Sequence, residues 1–293
     1  MAVSAKVICD SKFGDTRLTT LEIEVHRFIL PEINTHRTLS RNFQSSRAVP
    51  IKQMIEQVRN DPAMPLHWGK NQPGMVAEEE LSGEDLESIK EQWVIAAGMA
   101  AMQADAMSAL GVHKQVVNRI LEPFMWTKGV VTGTQEAWEA FLKLRAHKDA
   151  QPEIQALAFK IKDALENSEP TQLQVYDWHL PYVDQNTFPS ECYESWKDRL
   201  MDMIKVSTSC CAQVSYRRLD DSVEKAIKIY DMLNLPCRGV YPENPPHFSP
   251  TEHVAYYRPC GTIQHSGNFA SKDLMQYRKM LEIGMDGNFS KED

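Results

Sequence analysis

LTTLEIEV, residues 18–25, alternates apolar and polar side chains from Thr20 onward. A period of two is the pattern of a strand that buries one face, here Leu21, Ile23 and Val25. Working outward, VSAKVIC at residues 3–9 reads as a strand before it, and Phe124–Val131 as one after it. Between them the pattern turns helical. Pro50-Ile51 opens a short helix through Val58. Residues 60–80, rich in Pro, Gly, Asn and Gln, read as a long ordered loop. Ser82 with Asp85 three residues on starts a helix to about Leu110. Its predicted face is Leu86, Ile89, Trp93, Ala97, Ala100 and Ala104, and its small residues let another helix pack closely. Gly111 ends it, and a further helix runs through Leu121. Helices are predicted over 136–145 and 152–165, the latter with Pro152 in the favoured first turn. After a loop carrying WHLPYVD come two more, over about 192–213 and 221–233. Most of the remaining Pro and Gly fall in 234–293, and no repeat or boundary divides the chain. One α/β unit over 1–293 with long helices is the simplest organisation.

The chain has 293 residues, of which 42% are apolar and 25% charged, as in ordinary globular proteins. Its 32 basic and 40 acidic residues leave a net charge of −8. An acidic chain is a poor general binder of duplex nucleic acid, whose affinity rests on Lys and Arg at phosphates. No apolar run is long enough for a membrane span, and MAVSAKVICDSKFGD lacks the apolar core of a secretion signal. None of the six cysteines forms a C-x-x-C pair, and no Cys or His spacing suggests zinc. The expectation is a metal-free protein of the cytoplasm, without nucleic-acid or membrane partners.

Three stretches carry candidate chemistry. From Ile33 to Ile55 there is no acidic residue, while Arg37, Arg41, Arg47 and Lys52 are interleaved with Thr35, Thr38, Ser40, Ser45 and Ser46. This is either a solvated basic face or a phosphate-ester site built from guanidinium forks and short hydroxyl donors, and the hydroxyls favour the second. In HFSPTEH, residues 247–253, Ser249, Pro250 and Glu252 fit a capping box at a helix start. The cap leaves the flanking histidines unexplained, and a helix start also suits an anion. In FLKLRAHKDAQPEI, residues 141–154, Arg145 ends a helix, where an Arg commonly complements the dipole. The pair Cys210-Cys211 lies in an apolar helix and reads as core rather than as a nucleophile. No G-x-G-x-x-G, P-loop or H-E-x-x-H occurs.

Together these stretches resemble the flavin-dependent (ThyX-type) thymidylate synthases. Of that family's RHRxxSxNExSxR signature, residues 35–47 (THRTLSRNFQSSR) keep His36, Arg37, Ser40, Asn42, Ser45 and Arg47 at the family spacing. FLKLRAHKDAQPEIQALA looks like NFLxLRxxxxAQxEIxxLA, and Arg119 in NRILEP resembles the Arg of RxxLP. CCAQVSY (210–216) looks like AARVSY, and HFSPTEH like HxSPFEH. In the common form the last two motifs precede the signature, whereas here they follow it. The order looks circularly permuted, as in a variant group of large DNA bacteriophages that also has THR for RHR and a closing SGNF…QYRK, here Ser266–Phe269 and Gln276–Lys279.

The resemblance implies an α/β (α+β) fold with a small mixed sheet and long helices, a homotetramer with active sites between subunits, and bound FAD. The implied reaction converts dUMP, methylenetetrahydrofolate and NADPH into dTMP and tetrahydrofolate, in the host cytoplasm if the protein is phage-encoded. By motif position His36, Arg37, Asn42, Ser215, His247, Ser249 and Glu252 contact FAD. Ser45, Ser46, Arg47 and Arg119 hold the nucleotide phosphate, with Glu32 and Gln44 beside the nucleotide. Arg145 is the catalytic residue, a fixed cation that stabilises charge developing on the uracil ring. Arg278 of QYRK is expected to stand in for the Arg replaced by Thr35.

The chain departs from the family at Thr35 and Phe43 (Arg and Glu there), at Ala140 and Asp149 (Asn and His), and at Glu32 (Gln). These changes leave open a related C5 methylase or hydroxymethylase acting on dUMP or dCMP, or a non-catalytic nucleotide- or flavin-binding homologue.

Overall fold

The computed structural model describes residues 2–214, 222–233, 249–259 and 261–284. The N-terminal half is built on β1 (Ser4–Phe13) and β2 (Thr16–His26), joined by a tight turn. They pair antiparallel from Ser4↔Glu24 to Phe13↔Thr16, with a register shift between Val7 and Cys9. After α1 (Leu30–Asn34) comes β3 (Ser40–Phe43), then α2 (Ile51–Asn60), α3 (Gly83–Ala109) and α4 (Lys114–Val117). β4 (Trp126–Thr134) returns to the sheet and leads into α5 (Gln135–Arg145) and α6 (Pro152–Glu166). With β5 (Thr171–Gln172), which runs parallel to β1, the sheet order is β3-β4-β2-β1-β5.

The alternation in β2 performs as expected. Leu21, Ile23 and Val25 are buried with Val131 against Trp138, Phe141, Ile154 and Leu157 of α5 and α6. Each such side chain contributes about 1.5–3 kcal/mol when fully buried. A second sheet follows from β6 (Trp178–His179), β7 (Ala255–Tyr257) and β8 (Leu274–Gln276), in the order β6-β7-β8. It is covered by α7 (Trp196–Ala212), α8 (Val223–Leu233) and α9 (Tyr277–Glu282) around Met203, Ile204, Tyr230, Tyr256 and Tyr277.

The fold is thus mixed α/β with small sheets and long helices. Several local expectations change. The predicted third strand starts at Trp126 rather than Phe124, because Asn118–Phe124 winds as a 3-10 helix containing Pro123. SPTEH is one 3-10 turn, Ser249–His253, and not the start of a longer helix, since Ala255–Tyr257 pairs as a strand. Ser82 makes no side-chain cap on α3, whereas Ser195 does cap α7, accepting from Asp198 N at 3.2 Å. Of the predicted face of α3, Ala97 and Ala104 are buried along with Ala101, while Ile89 is exposed. Cys211 is core as expected, and Cys210 is partly exposed.

The loop at 60–80 is ordered by pairing. Leu81 N donates to Trp68 O at 2.9 Å, Lys70 N to Glu79 O at 2.7 Å, and the buried Glu153 accepts from Leu66 N at 2.9 Å. Among the described residues no helix is long and apolar enough to cross a membrane.

Candidate functional site

The signature segment is spread along β3. At about 3.3 Å per strand residue, Arg37 and Arg41 lie toward one end and Ser45–Arg47 beyond the other. The strand is fixed in register with β4 from Ser40↔Thr132 to Phe43↔Gly129. Phe43 covers Gly129, where a Cβ would stand 2.3 Å from the ring.

At the first end, a cavity of about 640 Å³ is lined by Arg37, Arg41, Glu252, Asn268, Gln276 and Arg278, among others. Chain segments more than 200 positions apart meet here through paired side chains. Ser40 Oγ donates to Asn268 Oδ1 at 3.0 Å, and Gln276 Nε2 donates to the same oxygen at 2.9 Å and to Glu252 O at 3.0 Å. Gly267 makes the junction possible. Its φ is +59°, and a Cβ there would stand 2.2 Å from Gln276 Oε1. Arg278 donates to Glu252 at 2.6 Å and to Glu282 at 2.9 Å. Arg37 is exposed and has no ion pair among the described residues. Arg41 donates to the His36 carbonyl, and burial lowers its pKa against the raising influence of Glu252.

A second cluster lies at the end of α5. Arg145 donates from Nε to His36 Nε2 at 2.9 Å, and from Nη2 to Thr35 Oγ1 at 3.1 Å and the Glu32 carbonyl at 3.3 Å. His36 also packs edge-on against Phe141, 4.7 Å between centroids. Burial, then the Arg145 and Arg41 charges, push the His36 pKa down to about 4. The ring is therefore neutral near pH 7, with its lone pair on Nε2 and its proton on Nδ1.

The third cluster sits past β3. Ser46 Oγ, Arg119 Nη1 and Arg27 Nη2 all donate to Glu122 Oε1, at 2.6, 2.9 and 3.2 Å. Arg27 Nη1 also donates to Gln44 O at 3.0 Å. Asn118 ties down the turn through Ser46 O and Val49 O, and Ser45 O accepts from Ala48 N at 2.9 Å. Arg47 is exposed, with no hydrogen bond or ion pair among the described residues. A cavity of about 470 Å³ opens beside Arg27, Leu30, Pro31 and Arg119. Sequence reasoning missed Arg27, which sits in no motif.

Within one chain, then, Arg37, Glu252 and Arg278 share a cavity, His36 and Glu32 share Arg145, and Ser46 shares a carboxylate with Arg119. No hydrogen bond or ion pair joins Arg145 to the Arg119–Glu122 group among the described residues. Asn42 points elsewhere, and its Nδ2 donates to Cys211 O at 2.7 Å and holds the end of α7. Ser249 begins the turn that carries Glu252. Ser215 and His247 lie outside the described residues. Ala140 and Asp149, two of the departures, are both exposed. No group of three or more His, Cys, Asp or Glu among the described residues could hold a metal ion.

Behind the cavity runs a buried polar chain that the sequence did not disclose. His253 Nδ1 is 2.8 Å from Thr132 Oγ1, which is 2.7 Å from Thr20 Oγ1. Thr20 is 2.8 Å from His179 Nε2, and His179 Nδ1 is 2.8 Å from Ser11 Oγ. It links the two sheets, and His253 follows Glu252 directly. Burial pushes both histidines down to about 3, with His179 lowering His253 further.

Two crystal structures of a UMP/dUMP methylase, PolB, from Streptomyces cacaoi are similar in part. The one bound with 5-Br UMP has a TM-score of 0.46 at 17% identity, covering 56% of this chain and 88% of that one. The one bound with 5-Br dUMP has a TM-score of 0.42 at 19% identity, covering 51% and 65%. No curated protein sequence matches the chain. The family model for the thymidylate synthase complementing protein, Thy1, matches residues 16–171, which carry the THRTLSRNFQSSR segment, Arg119 and Arg145. That stretch is more than half of the 293 residues, and the chain belongs to the Thy1 family.

Proposed function

We propose that the protein is a flavin-dependent methylase that transfers a one-carbon unit from methylenetetrahydrofolate to C5 of a pyrimidine deoxynucleoside monophosphate. dUMP giving dTMP is the reaction implied by the family, with NADPH as reductant. The observation that carries this reading is the cavity in which Arg37 and Arg41 of the signature meet Glu252 and Arg278 of the C-terminal motifs.

The cavity fits a dinucleotide of the FAD type. Arg37 lacks a carboxylate partner among the described residues, and Arg41 is a guanidinium carried below its ordinary pKa by burial. Both conditions are relieved by a diphosphate, which accepts bidentate donors. Arg37, Arg41, Glu252 and Arg278 would hold the cofactor, and Arg278 supplies a cation where Thr35 cannot. When bound, the flavin provides the hydride that reduces the transferred carbon to a methyl group.

The chain's own residues do the rest. Arg119 and Arg47, with the hydroxyls of Ser45 and Ser46, bind the phosphate. Arg145 acts on the ring, and its permanent charge offsets electron density gathering there as C5 becomes nucleophilic. Neutral His36 accepts from Arg145 and holds the guanidinium in place. The family resemblance supports a site completed by a second copy. So does α3, on which Val94, Ile95, Met99 and Met102 are between 46% and 59% exposed. A homotetramer covers that face, and the motif order is a permutation of the family's.

The test is optical. Purified protein supplied with FAD is expected to show flavin absorbance that bleaches under NADPH, and light scattering to give four chains per particle. Saturating FAD that changes neither flavin fluorescence nor melting temperature overturns the cofactor assignment; at 100 times Kd, binding adds about 2.7 kcal/mol.

A further inference from the structure

Two cavities share Phe28 and Pro123 as walls. One, of about 470 Å³, contains Arg27 and Arg119. The other, of about 370 Å³, is lined by Phe28, His67, Trp93 and Glu153, and by no Lys or Arg among the described residues. Its volume is that of a small-molecule site. Its walls are fixed by hydrogen bonds: His67 Nε2 lies 2.9 Å from Ala77 O, and Trp93 Nε1 donates to Ala63 O at 3.0 Å.

Glu153 is 4% exposed, and its one hydrogen bond among the described residues runs from Leu66 N to Oε1 at 2.9 Å. A carboxylate in the first turn of a helix suits the dipole, which accounts for a Glu at this position of α6. The dipole does not account for a carboxylate withdrawn from water on an aromatic-lined cavity wall with Oε2 to spare. Such a group is costly until a donor reaches it. An ionised carboxylate can only accept, so the occupant must present an N–H, and the faces of Phe28 and Trp93 suit a flat ring. Next door, Arg27 gives Nη1 to Gln44 O and Nη2 to Glu122, while its Nε makes no hydrogen bond among the described residues. A molecule spanning both cavities therefore carries an N–H-bearing heterocycle at one end and an anion at the other.

The methylase reading, on which this inference rests, needs two co-substrates of that kind and leaves both without residues. A folate joins an amino-bearing pterin to a glutamate tail, and a nicotinamide dinucleotide joins adenine to phosphates. We propose that the cavity at Phe28, Trp93 and Glu153 is the head-group site for such a co-substrate. Glu153 Oε2 takes the N–H of the ring, and Arg27 takes the anionic tail.

The experiment is calorimetric titration of the FAD-loaded full chain with tetrahydrofolate, without oxygen, and with NADP⁺, for the wild type and for Glu153→Gln. One of the two ligands is expected to bind the variant roughly tenfold more weakly or worse, the cost of a lost charge-assisted hydrogen bond. FAD and dUMP should bind as before. The ligand that weakens tells whether the head is the pterin or the adenine. Unchanged affinity for both, or a loss shared by FAD and dUMP, overturns the site and leaves the methylase reading standing. Failure of the wild type to bind either co-substrate overturns both. Hydrogen exchange in the wild type decides even where the variant does not fold. Saturating ligand should slow exchange at residues 66–69 and 75–77, and unchanged exchange there overturns the site.

Discussion

Arg145 and His36 are joined by a 2.9 Å hydrogen bond from guanidinium Nε to imidazole Nε2. The same guanidinium ties the Glu32 carbonyl and Thr35, so one side chain at the end of α5 organises the entry to the signature segment. Arg145→Ala is expected to slow turnover at saturating nucleotide by about 10²–10³-fold, the cost typical of losing one preorganised donor. It should also cost about 1–3 kcal/mol in denaturant melts, because three acceptors lose a charged donor. A wild-type rate at saturation leaves Arg145 a helix-end clamp and removes it from the chemistry.

Arg47 behaves differently. It is exposed and unpaired among the described residues, so its removal disturbs no internal contact. A phosphate keeps the same charge in ground and transition states, and losing a contact to it raises KM with little change in kcat. Arg47→Ala is expected to weaken nucleotide binding in titrations and leave the single-turnover rate at saturation near wild type. A large fall in that rate with unchanged binding contradicts the phosphate role.

Gly267 offers a test of the junction between the two ends of the chain. With φ at +59° and Gln276 Oε1 2.2 Å from any Cβ, Gly267→Ala forces Gln276 away from Ser40 and Asn268. The expected loss is about 1–3 kcal/mol of stability, together with weaker FAD binding. FAD affinity equal to wild type in a folded Gly267→Ala protein would show that the junction does not shape the cavity.

How far the sequence disclosed all this depended on periodicity. Leu21, Ile23 and Val25 were legible because one face of β2 is buried and the other is not. β3 was not, because SRNF has no alternation: Ser40 and Asn42 answer to Asn268 and Cys211, and Phe43 alone packs on the core. β6 to β8 are two or three residues each, too short to carry a period. SPTEH carried the letters of a cap, yet Ala255–Tyr257 pairs as a strand and takes the chain into a sheet. In the site, the cations and hydroxyls stood out by composition. The chain from Ser11 through His179, Thr20 and Thr132 to His253 did not, since its members are scattered and only the meeting of two sheets joins them.

That buried chain sets a pH dependence. His179 and His253 hold pKa values near 3, against 6.5 in the unfolded chain. Below about pH 6.5 the unfolded state binds more protons than the folded one, so stability falls as pH drops from 6.5 toward 3 and is fully present above 6.5. His36, near 4, acts in the same direction over the upper part of that window. Urea melts between about pH 7.5 and pH 4.5 read this before most carboxylates titrate. The midpoint should hold level from about pH 7.5 to about 6.5 and decline from there toward about pH 4.5, and a flat profile below about 6.5 contradicts neutral burial of these rings.

The central claim is one-carbon transfer to a pyrimidine nucleotide through this site, and product mass tests it most directly. Reduced FAD-loaded protein is mixed without oxygen with methylenetetrahydrofolate and either dCMP or dUMP, and the nucleotide is weighed after one turnover. The account predicts a nucleotide heavier by one methylene unit, formed at the rate at which the flavin is reoxidised. Recovery of unchanged dCMP and dUMP, with the flavin still reduced, would contradict it.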